Sequence, residues 1–368
     1  MIRVLVLANA EFGHDREDTE PGVLPDVVEV LGVSRRVTEE LNRSPLFEAR
    51  LALVQTMEDI RRALDEEAPD LVFHLVESLL CQQIYESFTA SLLEHRGIPF
   101  TGSGSQALRG CLDKAWTTFW LGRNGIPVPR SVMVDAARLE RDPGLLDRFP
   151  LPAIVKPART DGSVGIDQKA VIRSSRQALV DRVRLVLEEH GGRALVQEFL
   201  EGREFRVACL GNHPVQTMPV NELMFDLPEG FERVYDYDSK WREGTPSFDG
   251  TWREVPRLPP RLQHRLESLA RASFERMGMR DYGTVEFRMD AAGMPRVIDI
   301  NANCDLGEVA WFSKTCRLRG ISHGDLIRTI ASMAVARGAP RARPEEASAG
   351  READRPAIEE DRCIAATG

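Results

Sequence analysis

Two alternating runs late in the chain constrain its fold most. Glu286-Phe-Arg-Met-Asp290 is followed by the turn segment Ala291-Ala-Gly-Met294 and then by Val297-Ile-Asp-Ile-Asn301. Such runs about a short Gly-containing turn predict a β-hairpin. Side chains two apart on a strand share a face. Glu286, Asp299 and Asn301 are therefore expected to converge as three oxygen donors. Hard cations such as Mg²⁺ take such ligands, with water and phosphate oxygens completing the shell. The hairpin points to an enzyme that handles a nucleoside triphosphate.

At 368 residues the chain predicts two or three domains. A net charge of -9 argues against a nucleic-acid partner, which needs clustered Lys and Arg, but leaves room for a local basic nucleotide pocket. No apolar run is long enough to span a bilayer. Met1-Ile-Arg-Val-Leu-Val-Leu-Ala8 reads as a buried first strand and not as a signal peptide. Cys81, Cys111, Cys209, Cys304, Cys316 and Cys363 are scattered without C-x-x-C pairing. That spacing predicts reduced thiols and a cytoplasmic protein.

The first hundred residues read as α/β: strands at Val4–Leu7 and Leu71–His74, helices at Val27–Asn42, Met57–Glu67 and Gln82–His95, and an edge strand or turn at Ile98–Gly102. Next come a helix over Lys114–Arg123, a strand over Ala153–Lys156, a helix over Ser175–Glu189 and a strand over Ala194–Phe199. Glu204–Leu210 and Val215–Val220 read as a hairpin. Pro228–Pro260 is polar, aromatic and rich in Pro and Gly, which predicts a structureless lid. Helices over Arg261–Met277 and Gly324–Arg337 follow, and the tail from 338 to 368 reads as disordered. The expected divisions are 1–103, 104–192, 193–337 and that tail.

Several groups bear on chemistry. Lys156 ends a strand before a loop with Gly162, Ser163 and Gly165. Glycines let backbone N–H groups approach a phosphate, although alone this is a surface-turn signal and not a Walker motif. Val196-Gln-Glu-Phe-Leu200, with Gly202 and Glu204, offers backbone groups to a base and a carboxylate to a ribose, or is a solvated acidic turn. Lys114 and Lys240 are lone lysines that gain meaning only from company.

The order of these pieces resembles the ATP-grasp superfamily, and within it the D-alanine–D-alanine ligase family and its amino-acid ligase relatives. The matching pieces are Gly97-Ile-Pro-Phe-Thr-Gly-Ser103, Leu112-Asp-Lys114, Gly125-Ile-Pro-Val-Pro129, Val155-Lys-Pro157 with Gly162-Ser-Val-Gly165, and Gln197-Glu-Phe-Leu200 with Gly202-Arg-Glu-Phe205. Tyr237-Asp-Ser-Lys240, Tyr282-Gly-Thr-Val-Glu286 and Asp299-Ile-Asn301 continue the order. The resemblance implies an α+β / α/β chain: an ATP-grasp fold behind an N-terminal Rossmann-like α/β domain. It implies that Lys114 and Lys156 hold ATP phosphates under the Gly162–Gly165 loop, that Gln197 and Leu200 meet adenine, and that Glu204 meets ribose. Lys240 would reach the terminal phosphate. Glu286, Asp299 and Asn301 would bind two Mg²⁺ ions, with Mn²⁺ as a substitute. Lys240, Ser163 and Arg288 are the catalytic candidates. Small amino-acid-type substrates are implied, and relatives of this type are commonly homodimers.

The amino-acid half of that pattern is rewritten. The family's Arg two residues before the first metal carboxylate is Thr284 here, and its Ser-rich acceptor segment is Ala302-Asn-Cys-Asp-Leu-Gly-Glu-Val-Ala-Trp311. Its first-domain His-Gly and Gly-Glu-Asp-Gly signatures are replaced by His74-Leu-Val-Glu-Ser-Leu-Leu-Cys-Gln-Gln83. Arg288, on the face of Glu286, is expected either to replace the missing cation or to form a salt bridge with Asp290 or a metal carboxylate. Glu77, Arg206 and Glu222 are substrate-side candidates, Trp311 and Phe312 pocket or core, His74 a hydrogen-bonded core residue, and Cys304 a small filler. The expected activity is an ATP-dependent carboxylate–amine ligase acting through an acyl phosphate on a pair other than two D-alanines. An authentic D-alanine–D-alanine ligase, a non-catalytic nucleotide-binding scaffold and a phosphotransferase are the alternatives.

Overall fold

Strand β1 (Ile2–Asn9) lies at the centre of a three-stranded sheet, parallel to β2 (Phe47–Val54) on one side and β3 (Leu71–Leu75) on the other. A central parallel strand is covered on both faces and so reads as a continuous apolar run. This computed structural model describes residues 1–10, 25–80 and 82–338, so the expected disordered tail and Cys81 lie outside the described residues. Helices α1 (Pro25–Asn42), α2 (Met57–Glu67) and α3 (Ile84–His95) connect the layer. Thr56 and Asp59 form a capping box that starts α2 at the expected residue. Strand β2 escaped the sequence reading. It is an edge strand whose Glu48 and Arg50 are exposed, which breaks the apolar run. Phe100 makes one parallel bridge to Val72 and no longer strand.

Helices α4 (Ser105–Leu112) and α5 (Lys114–Arg123) lead into a four-stranded sheet. Its members are β4 (Ser131–Val134), β5 (Ala153–Pro157), β6 (Val171–Ile172) and β7 (Ala194–Glu198), in the order β4-β7-β5-β6. Helices α6 (Ala136–Arg141) and α7 (Arg176–Glu189) accompany it. Leu179, Val183 and Val186, at helical spacing, pack α7 on the apolar residues of β5 and β7.

The third sheet holds β8 (Glu204–Leu210), β9 (Gln216–Thr217), β10 (Asn221–Phe225), β11 (Thr251–Glu254), β12 (Tyr282–Met289) and β13 (Pro295–Asn301). Its order is β11-β10-β8-β12-β13, with β9 also on β8. The expected partner of β8 at Val215–Val220 shrinks to the two residues of β9, and β10 takes the longer pairing. The stretch from Pro228 to Pro260 is not structureless. It contains α8 (Tyr237–Trp241), α9 (Pro246–Asp249) and β11, whose Asp236 and Thr245 caps use short polar side chains that sequence periodicity does not register. Helices α10 (Pro260–Arg276), α11 (Trp311–Arg317) and α12 (His323–Arg337) complete the described chain. Among the described residues no helix is long and apolar enough to cross a membrane.

Candidate active site

One β-bulge decides which side chains meet. On the β12–β13 hairpin, Arg288 faces Arg296 and Phe287 faces Val297, but Glu286 faces Asp299. Ile298 is the extra residue. Simple alternation from Arg296 would have set Ile298 opposite Glu286. The bulge brings Asp299 there instead and re-aims the strand, as bulges beside functional sites do. Glu286, Asp299 and Asn301 consequently line one cleft of about 850 Å³, as does Ile298.

Lys156, Gly162, Ser163, Gln197, Leu200, Glu204, Lys240 and Arg288 line the same cleft. Lys114 reaches it from the start of α5, where its Nζ donates to Asp299 Oδ2 at 3.0 Å and to Asp161 Oδ1 at 3.2 Å. Gly165 closes the glycine loop. A Cβ there would meet Pro157 Cγ at 2.5 Å and His190 Nε2 at 2.7 Å, and its φ is +73°. Both facts require glycine.

The three lysines differ in environment. Burial disfavours the charge on Lys114, but Asp299 and Asp161 more than offset it and hold the ammonium protonated. Among the described residues Lys156 has no such direct partner. Burial pushes it down to about 8, and the charge of Asp299 opposes this only in part. Burial also lowers Lys240, whose Nζ sits 4.7 Å from the Trp241 ring centroid. Lys156 is thus poised to lose or keep a proton according to what enters the cleft.

The expected ribose end is locked from within. Glu204 Oε2 accepts from Arg288 Nε at 2.8 Å, and the Leu200 carbonyl accepts from Arg288 Nη1 at 2.8 Å. Arg288 also donates to the Arg233 carbonyl. It pairs with neither Asp290, which takes Arg296, nor a residue of the oxygen trio, so the salt bridge expected for it is corrected to Glu204. The Gln197 amide donates to Ser131 Oγ at 3.1 Å. Phe199, Val234, Ile154, Ile166 and Ile298 supply an apolar wall suited to a flat base. Of these, only Phe199 lay in a segment that the sequence reading had singled out for the base.

The glycine loop and the lid segment clasp each other. Ser163 Oγ donates to the Tyr235 carbonyl at 2.9 Å, Trp241 Nε1 to the Gly162 carbonyl at 2.8 Å, and the Tyr237 amide to the Ile166 carbonyl at 2.9 Å. Together they roof the cleft.

A second, larger cavity of about 2090 Å³ adjoins the first. Asp161, Gly162, Arg206, Tyr235, Lys240 and Asn301 line both. Its other wall carries Glu77, Glu86, Asn303, Asp305 and Trp311. Asn303 Nδ2 donates to Glu86 Oε1 at 2.6 Å, and burial raises Glu86 well above the usual carboxylate range. Thr284 Oγ1 is buried here without a hydrogen-bond partner. Glu222 is turned away and pairs with Arg203. Phe312 is core and Cys304 is buried. His74 is a core residue, but its Nε2 lacks the expected partner and burial pushes it down to about 4.

Asp161 is the residue that the sequence reading missed at the lysine end. Its position directly before Gly162 was the available signal.

The family model for the D-ala D-ala ligase C-terminus matches residues 121–332. A D-alanine–D-alanine ligase of Desulforudis audaxviator is 27% identical over 276 residues, covering 75% of this chain and 85% of that protein. An uncharacterised protein of Sinorhizobium fredii is 28% identical over 270 residues, covering 72% and 74%. A crystal structure of a D-alanine–D-alanine ligase from Bacillus anthracis, complexed with ATP, matches with a TM-score of 0.69 at 19% identity, over 91% of this chain and 97% of that one.

Proposed function

The chain belongs to the D-Ala–D-Ala ligase family of ATP-grasp enzymes, and from that premise we propose that it is an ATP-dependent carboxylate–amine ligase whose substrate pair is not two D-alanines. The observation that carries the reading is the single cleft that gathers lysines, carboxylates and an apolar wall and opens into a second cavity.

On this reading ATP lies in the first cleft. Its base rests against Phe199 and Val234, its ribose near Glu204, and its phosphates under the Gly162–Gly165 loop beside Lys114, Lys156 and Lys240. A carboxylate oxygen of the donor attacks the γ-phosphorus. The bond from that phosphorus to the bridging oxygen breaks, and ADP leaves with the electron pair. The acceptor amine then attacks the acyl carbon, inorganic phosphate departs, and the amine sheds its extra proton. Lysines facing the phosphates stabilise the charge that migrates during transfer. The clasped loops exclude water, which would otherwise hydrolyse the acyl phosphate.

Two carboxylates and an amide, all hard oxygen donors, fit Mg²⁺ shared with phosphate oxygens. Glu286, Asp299 and Asn301 would hold it, and it would supply charge neutralisation to the phosphoryl group. Arg288, spent on Glu204 and two carbonyls, is best read as positioning the ribose end and not as the cation over the acyl group. We also carry forward the divisions near 103 and 192 as lobe boundaries. Four described cysteines are free and buried, which supports a reducing compartment.

The relatives' names favour a second reading, an authentic D-alanine–D-alanine ligase. Thr284 in place of an Arg, and the absence of a Ser-rich acceptor segment, weigh against it. Hydroxylamine separates the readings, because it converts an acyl phosphate to a stable hydroxamate without the natural acceptor. Wild-type enzyme with Mg²⁺, ATP and hydroxylamine is expected to yield hydroxamate from an acid other than D-alanine. Efficient D-alanyl hydroxamate and dipeptide formation from D-alanine alone would reject the altered pair. No ADP from any acid tested, with nucleotide still bound, would favour a scaffold.

A further inference from the structure

Two arginines share one face of the third sheet, and Arg206 lines both cavities. Arg206 on β8 lies directly opposite Glu286 on one side and Asn221 on the other. Leu223, two residues beyond Asn221 and so on the same face, lies opposite Arg253 on β11. The two arginines therefore occupy diagonally related positions on that face, with β10 between their strands. Burial, and then the charge of Arg253, push Arg206 down to about 10.

Neither guanidinium is satisfied. Arg206 gives one nitrogen to Glu286, but its Nε is buried without a partner. Arg253 is 7% exposed, and its Nε and Nη2 are both buried and unpartnered. Among the described residues no carboxylate pairs with Arg253. It is held between rings instead, 4.9 Å from the Tyr235 centroid and 5.9 Å from that of Trp311. Both aromatic residues line the second cavity, and Tyr235 also lines the nucleotide cleft. Asn221 Oδ1 and Thr284 Oγ1, on the same face, are likewise buried and unpartnered. Two like charges with idle donors are costly to bury unless an anion joins them. A planar fork stacked on aromatic rings is pre-organised for a carboxylate.

We propose that Arg206 and Arg253 together anchor the carboxylate of the donor substrate, a carboxylic acid that enters through the second cavity; this deepens the ligase reading and rests on it. The second cavity also carries Glu77, Glu86 and Asp305, whose carboxyl oxygens can accept from the amine of the acceptor. The chamber is therefore polar end to end, with its cationic end against the phosphates where the acid must react. The pair also supplies, from β8 and β11 of the same sheet, the positive charge that Thr284 lacks.

The test uses the full chain with Mg²⁺ and the twenty common amino acids in both enantiomers, plus β-alanine, as probes. Hydroxamate formation reads the reaction, and tryptophan fluorescence of the ADP-bound protein reads acid binding without turnover. Arg253→Gln is expected to raise KM for the active acid at least about tenfold and to leave KM for ATP within about twofold. Arg253→Lys, which keeps the charge and loses the fork, is expected to fall between, and it decides the matter if the glutamine variant no longer binds ADP. An unchanged KM for the acid overturns the anchor. So does a loss expressed in KM for ATP instead, which would assign the pair to phosphate, or a wild-type protein whose fluorescence responds to no acid of the panel. If an acid binds in an Arg253-dependent way but no hydroxamate forms, the anchor stands and the ligase reading falls.

Discussion

The two cavities handle charge in opposite ways. In the nucleotide cleft several ions are matched before any ligand arrives, Lys114 with Asp299 and Asp161 and Arg288 with Glu204, while among the described residues no carboxylate pairs with Lys156 or Lys240. Among the described residues, Arg253 has ring faces but no carboxylate partner, and Glu86 is paired with the Asn303 amide. Internal pairing keeps a site folded and aligned while it waits for a highly charged ligand. Open groups leave the choice of ligand to the substrate that completes them. That difference teaches where this chain is fixed and where it is free to differ from its relatives.

The sharpest way to break the comparison is to unmatch the cleft. Asp299 holds Lys114 and faces the expected phosphate and metal position. Asp299→Ala is expected to lower ADP formation by about a thousandfold or more, on the scale of losing a central electrostatic group. Circular dichroism should still report a folded chain. Retention of more than a tenth of the activity would mean that the oxygen trio is not the reacting centre.

Arg288→Met is expected to come next. Removing one partner of a buried pair leaves Glu204 charged and alone, at a cost of about 3–5 kcal/mol in stability. Urea unfolding measures this loss. Arg288→Lys keeps a charge beside Glu204 but loses the two carbonyl contacts. If Arg288 only positions the ribose end, the lysine variant raises KM for ATP several-fold and leaves kcat near wild type. A collapse of kcat alone would restore it as a catalytic group.

The pH dependence of nucleotide affinity is a milder effect. Free Lys156 sits at about 8, and adjacent phosphates raise it on binding. Binding then takes up a proton above pH 8. Affinity for ADP should be flat below about pH 8 and fall by up to about tenfold per unit above it, until the bound value is reached. Stability carries the opposite slope. The folded value is depressed, so between about 8 and the unfolded value of about 10.4 the unfolded chain binds more protons, and stability rises with pH across that window. Lys156→Arg should remove the affinity slope. Calorimetry at pH 7.5, 8.5 and 9.5 checks it.

The matched half was the legible half. Lys114–Arg123 and Glu204–Leu210 were bounded to the residue because Asp113, Asn124 and Gly211 punctuate them. The ATP-grasp class was readable because pieces such as Val155-Lys-Pro157 and Asp299-Ile-Asn301 occur in order, and the fold match bears it out. What stayed hidden depends on pairing between distant strands. Alternation alone would put Asp299 and Asn301 on one face, but it cannot say that a bulge at Ile298 turns that face toward Glu286. Arg253 looks like any solvated arginine until β11 pairs with β10. The lid was misread as structureless because turns of four or five residues carry no periodicity.

The smallest expected effect concerns the roof shared by both cavities. Trp241 on α8 grips the glycine loop through Nε1 to the Gly162 carbonyl. Its ring also carries the Lys240 ammonium on one face. Trp241→Phe removes the hydrogen bond and keeps a ring for the lysine. The loss should be about 1 kcal/mol, the net worth of one such bond. A looser clasp admits water more often than it disturbs binding, because Ser163 and Tyr237 still tie the loops together. KM for ATP should therefore change less than about twofold, while phosphate released without amide product rises several-fold relative to wild type. If the ratio of phosphate to amide stays at the wild-type value, the clasp does not guard the acyl phosphate. The lid would then matter only for carrying Lys240.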